Sequence, residues 1–186
     1  MRPYKRWAAS LPKNDTEKKL TALANHLGIG LMNIHNPCDE LGRRILQKPV
    51  DILGTLGSVL NLIIAYQNMP EMAASDESIE LICGSQDSLI GKAAVIHAAG
   101  TNGGFPVADA LFQSGIETVI YIHLFSKSDR EKLLREGKGN LILTGHYCSD
   151  SLGINPLIDA LEDEGVAVDC CNKMIRIRGQ EIKPLN

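Results

Sequence analysis

The sequence predicts an α/β fold: three layers, with a mainly parallel or mixed sheet and helices on both faces. Two observations carry this. Segments with helical apolar spacing alternate with short apolar runs of strand length along most of the chain. The runs are continuously apolar, as strands covered on both faces are, rather than alternating. The length of 186 residues suits one domain with a real core, or two small halves sharing one. Residues 1–186 are therefore read as a single domain, with halves 1–75 and 76–186 as the alternative. Their junction would lie in Met69–Ser78, the most weakly patterned stretch.

In order, Asp15–Leu27 reads as a helix, with Leu20, Leu23, Ala24 and Leu27 at helical spacing and Gly28 at its end. Gly30–His35 reads as a strand. Asn36-Pro37 opens a helix that runs to Gln47 and breaks at Lys48-Pro49. Val50–Asn68 is further helix with glycine interruptions. Ile79–Cys83 and Lys92–His97 read as strands around a turn at Gln86–Leu89. Phe105–Ser114 is a helix, Thr118–His123 a strand, and Ser128–Arg135 a helix whose Ser128-x-x-Glu131 fits a capping box. Asn140–Thr144 is a strand, a helix lies between Ser149 and Glu164, and Val166–Cys170 is the last strand.

Composition excludes several classes. Apolar residues are 44% and charged residues 22%, an ordinary globular balance. A net charge of -3 and only 4% aromatics argue against nucleic acid as a partner. Val50–Tyr66, the most apolar stretch, contains Asp51, Asn61 and glycines and does not read as a membrane span. Arg2, Lys5 and Arg6 are followed by no apolar targeting segment. Five cysteines without Cys-x-x-Cys spacing suggest reduced thiols and a cytoplasmic location.

The histidines carry the chemistry. Four of the five, His35, His97, His123 and His146, close or follow a predicted strand. In a parallel sheet those strand ends share one edge, where ligands bind. Two sit in the same pattern: His35-Asn-Pro-Cys-Asp39 and His146-Tyr-Cys-Ser-Asp150 are both His-x-x-x-Asp. Imidazole nitrogen and carboxylate oxygen suit zinc, manganese or iron. A shared metal site built from His35, Asp39, His146 and Asp150 is the sharper reading. The plainer one makes each aspartate a helix-start residue and each histidine a partner for a nearby carbonyl. His123 has no acid partner and is a candidate catalytic acid/base, ligand or supporting group. His97 is given less weight, because the glycine loop directly after it can turn the chain away.

Gly100-Thr101-Asn102-Gly103-Gly104 precedes a predicted helix, so its amides could hold an anion of a small-molecule ligand. A tight strand-to-helix connection explains it equally well. Leu53, Leu56, Leu60, Ile63 and Ile64 recur at helical spacing and form an apolar face, either core or subunit contact.

With these residues in view, the chain resembles the Nif-three-like family (NGG-interacting factor three), the dinuclear metal-centre proteins, some of them described as type 2 GTP cyclohydrolase I. The resemblance is clearest from Ile90 to Ile177. There Ala99-Gly-Thr-Asn-Gly-Gly, Val119-Ile-Tyr-Ile-His and Gly145-His-Tyr-Cys-Ser-Asp-Ser-Leu-Gly-Ile-Asn resemble the family's C-terminal block. The family usually has Glu at the acid after Gly-His; some subgroups have Asp, as here at Asp150. Leu31-Met-Asn-Ile-His-Asn-Pro-Cys-Asp39 is similar to the family's His-Thr-Asn-Leu-Asp block in its His and Asp.

The resemblance implies that Asp39, His146 and Asp150 bind metal directly, Asp150 bridging, with His35 and His123 lining the pocket. It also implies a homo-oligomer, a ring-shaped hexamer with its metal sites facing an internal cavity. The family's His-His-Pro motif, which supplies two further ligands, is not found before His35. One metal site rather than two is therefore expected, in a shortened relative or the later part of a longer ancestor. Three functions follow as expectations: a metal-dependent hydrolase of a nucleotide or small phosphorylated compound, a non-catalytic metal-binding protein or hexameric scaffold, and a partner-binding protein.

Overall fold

A computed structural model of the chain describes residues 16–97 and 103–179. It separates into two compact units, Met1–Ile34 and His35–Asn186.

In the first unit, α1 spans Thr16–Leu27. It ends on Gly28 in the left-handed region (φ 67°), and the Ile29 amide donates to the Ala24 carbonyl at 2.9 Å. This is the wrapped helix end that a glycine permits. The strand expected at Gly30–His35 does not form. Ile29, Leu31 and Met32 are largely exposed, and no strand among the described residues pairs with this run. Apolar composition alone gives an extended segment nothing to bond to.

The second unit opens with α2, His35–Leu53. The expected break at Lys48-Pro49 is absent, and the helix continues through Pro49. A proline inside a helix removes its own amide bond to the preceding turn and sets its ring against the carbonyl four residues back. Here Ile45, Leu46, Pro49 and Val50 are all buried, so packing holds the helix across that loss. Gly54 (φ 64°) ends the run, and Ser58 caps α3, Val59–Gln67, by accepting from the Asn61 amide. A short α4, Pro70–Ala73, follows. Met69, Met72 and Ile79, around the weakly patterned stretch, pack in the same cluster as α2 and α3.

The sheet contains β1 (Glu80–Cys83), β2 (Ala93–Ile96), β3 (Thr118–Tyr121) and β4 (Asn140–Leu143), in the order β1-β4-β3-β2. β2, β3 and β4 are parallel, and β1 is antiparallel to β4. The sheet is therefore mixed, and the two strands flanking Gln86–Leu89 lie on opposite edges. The strand expected at Val166–Cys170 is coil, with Val166 half exposed.

Helices α5 (Gly104–Gln113), α6 (Lys127–Glu136) and α7 (His146–Asp163) complete the unit. Alternation along the strands sorts the core. Val95, Ile120, Ile122 and Ile142 meet α2, α3 and α7, while Val119, Tyr121, Leu141 and Leu143 pack with Ala108 and Phe112 of α5 and Leu133 of α6. These are the expected three layers. The cap of α6 is Ser126, which accepts from the Asp129 amide, two residues before the serine expected from the sequence. No helix of the described residues is long and apolar enough to cross a membrane.

Tyr66 lies wholly inside the helical layer, and its hydroxyl donates to the Leu46 carbonyl at 2.9 Å. Tyr66→Phe removes that bond without leaving a cavity. It is expected to cost about 1 kcal/mol, read as a lower urea midpoint at unchanged slope.

Candidate metal centre

Both His-x-x-x-Asp pairs lie at helix starts. His146 is the first residue of α7, and His35 is the first residue of α2 rather than the last of a strand. Residues four apart share a helix face, so each histidine sits over its aspartate. His35 Nδ1 lies 2.9 Å from Asp39 Oδ1, and His146 Nε2 lies 3.2 Å from Asp150 Oδ2.

The turn into α7 depends on Gly145. Its φ is 96°, and a Cβ there would stand 2.7 Å from Cys148 Sγ. Glu77 then caps the helix, accepting from the His146 amide at 3.0 Å and the Cys148 amide at 3.1 Å. A carboxylate at this end satisfies amides that the helix itself cannot.

What brings the two aspartates together is a close crossing of α2 on α7. A Cβ on Gly153 would lie 1.9 Å from the Cys38 carbonyl oxygen, so the backbones touch where a side chain would stand. Asp39 is the next residue. The third member comes from the sheet. His97 directly follows β2, and its ring lies against Gly42 of α2. Ligand atoms of Asp39, His97 and Asp150 all lie within 4.8 Å of one another. His97 Nδ1 is 3.8 Å from Asp39 Oδ1, and its side chain is fully buried.

Two atoms in this cluster are buried with no hydrogen-bond partner among the described residues: His97 Nδ1 and Asp150 Oδ1. Burial raises the Asp150 carboxyl above the usual aspartate range, and the Asp39 charge adds to this; His146, His97 and His35 oppose it. Two carboxylates this close, with a lone pair and an oxygen left open, are the donor arrangement that a divalent cation neutralises.

His123 lies outside the triad. It is buried, stacked on Phe125 with centroids 4.0 Å apart, and 4.7 Å from the His146 ring. Burial and then His146 lower its pKa, favouring the neutral ring. A cavity of about 450 Å³ opens beside it, lined in part by Phe125, Arg130, Gly145, His146 and Tyr147. Of the glycine-rich loop, Gly100, Thr101 and Asn102 lie outside the described residues. Gly103 precedes α5 as its cap and Gly104 is its first residue, where a Cβ would meet the Asp129 carboxylate at 2.2 Å. Negative charge at that helix start works against an anion there.

His97, which its sequence context gives less weight, is the residue the fold adds to the two aspartates. The strand-end signal was present, since β2 is parallel to β3 and β4 and so ends on the same edge. The Ser149 carbonyl holds the His97 ring through Nε2 at 2.9 Å.

The structure matches a crystal structure of a NIF3 superfamily protein from Sphaerobacter thermophilus. The TM-score is 0.75 and the identity 43%, over 83% of this chain and 57% of that one. The chain belongs to the NIF3 superfamily. It spans little more than half the length of that NIF3 relative. A scan against protein-family models gives no match, and neither does a comparison with curated proteins.

Proposed function

We propose that this NIF3 superfamily chain binds a divalent metal (zinc, manganese or iron) at Asp39, His97 and Asp150, and uses the loaded site to hydrolyse a nucleotide or another small phosphorylated compound. The observation that carries the metal reading is the convergence of those three side chains with His97 Nδ1 and Asp150 Oδ1 open and buried. A divalent metal supplies Lewis acidity toward water and phosphoryl oxygen. The chain's own residues do the rest. His146 orients Asp150 through Oδ2, leaving Oδ1 open, and His35 orients Asp39 through Oδ1, the oxygen that also faces His97. They are also the natural further ligands if a second ion enters, which is how His35, Asp39, His146 and Asp150 would act as a metal set. His123, whose burial and neighbouring His146 favour the neutral ring, would serve as the base beside His146.

Metal analysis of the untagged, full-length chain tests this, followed by a turnover screen with nucleotides and sugar phosphates. We expect about one bound ion per chain in the wild type, loss of that ion in Asp150→Ala, and loss of turnover with it. A bound ion without turnover of any such compound would remove the hydrolase reading and leave a metal-handling protein.

Assembly as a homo-oligomer, a hexamer or a dimer-based part of one, belongs to the same proposal. It is supported by Ile52, Leu56, Leu60 and Ile64, which stay exposed while Val59, Leu62, Ile63 and Tyr66 face the core. Light scattering is expected to give a mass several times 20.2 kDa. A monomer at micromolar concentration would contradict it.

A further inference from the structure

His97 is the group in the cluster whose orientation is most fully dictated by its surroundings. Its side chain is completely buried. Its Nε2 stands 2.9 Å from the Ser149 carbonyl oxygen, which can only accept, so Nε2 carries the hydrogen. In the neutral ring Nδ1 is then the lone-pair nitrogen. That nitrogen faces Asp39 Oδ1 at 3.8 Å and has no hydrogen-bond partner among the described residues. Ser149 is itself fixed, its hydroxyl 2.8 Å from Thr144 Oγ1 at the end of β4. On the other side, a Cβ at Gly42 would lie 2.5 Å from Nε2 and 2.9 Å from Cδ2, so only glycine leaves room for the ring in this pose.

We propose that His97, bound through Nδ1, determines which metal this site accepts, and that the Ser149 carbonyl and Gly42 position it. This rests on the metal reading above. Without His97 the triad offers two carboxylates, a donor set that suits hard cations such as magnesium. With the imidazole it favours zinc and other late first-row metals. The Ser149 bond does what an outer partner of a metal-bound histidine does: it fixes the tautomer and aims the ring.

The test compares zinc and magnesium affinities of the full-length wild type, His97→Ala and Gly42→Ala by competition with a chromogenic chelator. It adds long-range proton–nitrogen NMR of the zinc-loaded wild type. We expect the zinc-over-magnesium preference to fall about 100-fold in His97→Ala, and zinc affinity to fall roughly 10–100-fold in Gly42→Ala as the ring is pushed off the Ser149 carbonyl. In the NMR spectrum, His97 Nε2 should keep its proton while the Nδ1 shift moves to that of a metal-bound nitrogen. The NMR arm uses only the wild type and does not depend on either variant folding. Zinc binding in the wild type with an unchanged preference in His97→Ala, or with Nδ1 unshifted, would overturn this inference and leave the metal reading standing. No zinc binding in the wild type would overturn both.

Discussion

Asp150→Asn is expected to abolish the stabilisation of this chain by metal. An ion bound only to the folded state adds about 2.7 kcal/mol when its free concentration is a hundred times Kd. For a domain of this size that raises Tm by roughly 5–11 °C. The amide is nearly the shape of the carboxyl but carries no charge, so the wild type should show this rise with zinc and Asp150→Asn should show none. In metal-free protein the sign reverses. Burial holds the Asp150 carboxyl above the ordinary aspartate range, so ionising it costs more in the folded than in the unfolded chain. Its favourable contribution is complete below the unfolded pKa and is lost as pH rises through the folded one. Metal-free Asp150→Asn should therefore be at least as stable as wild type at neutral pH and should lack that part of the pH dependence. Denaturant unfolding with and without zinc, at acid and neutral pH, reads both signs. Equal metal stabilisation in the two proteins would remove Asp150 from the site.

Gly153→Ala is expected to damage fold and site together. Alanine favours a helix interior over glycine by about 1 kcal/mol. At this position, however, the methyl group would lie 1.9 Å from the Cys38 carbonyl oxygen and 2.7 Å from its carbon. These are backbone atoms, so relief requires the helices to part. Overpacking costs roughly 1–3 kcal/mol and more where the backbone must move, which leaves a net loss of about 2 kcal/mol. Parting the helices also draws Asp39 away from Asp150, and metal affinity should fall about 100-fold. Gly30→Ala serves as the control, because no atom of the described residues lies within 4 Å of a Cβ there. Calorimetric unfolding and zinc titration of the two variants provide the check. Wild-type values for Gly153→Ala would show that the helix crossing does not set the site.

Much of the fold could be read from the sequence, and the failures share a cause. Thr118–Tyr121 and Asn140–Leu143 are fully buried strands, and continuous apolar runs announced them. The Gly30–His35 and Val166–Cys170 runs are similar in composition, yet residues 30–34 and 166–170 are coil and His35 opens α2. A strand is decided by whether a neighbour is available to pair with it, and local composition is silent on that. Pro49 is the converse case: a local breaker overruled by the burial of the residues around it. At the site, the two His-x-x-x-Asp spacings were legible because the i, i+4 relation is local. His97 is less legible, because its place depends on Gly42, Ser149 and Asp39, which are distant in sequence and meet only when α2 crosses α7.

The most direct measurement is anomalous diffraction from crystals of the chain grown with zinc, collected on both sides of the zinc absorption edge. The account predicts a peak at bonding distance, about 2.0–2.2 Å, from His97 Nδ1 and from carboxylate oxygens of Asp39 and Asp150. Zinc found only elsewhere on the chain, with these three side chains keeping their metal-free contacts, would contradict it.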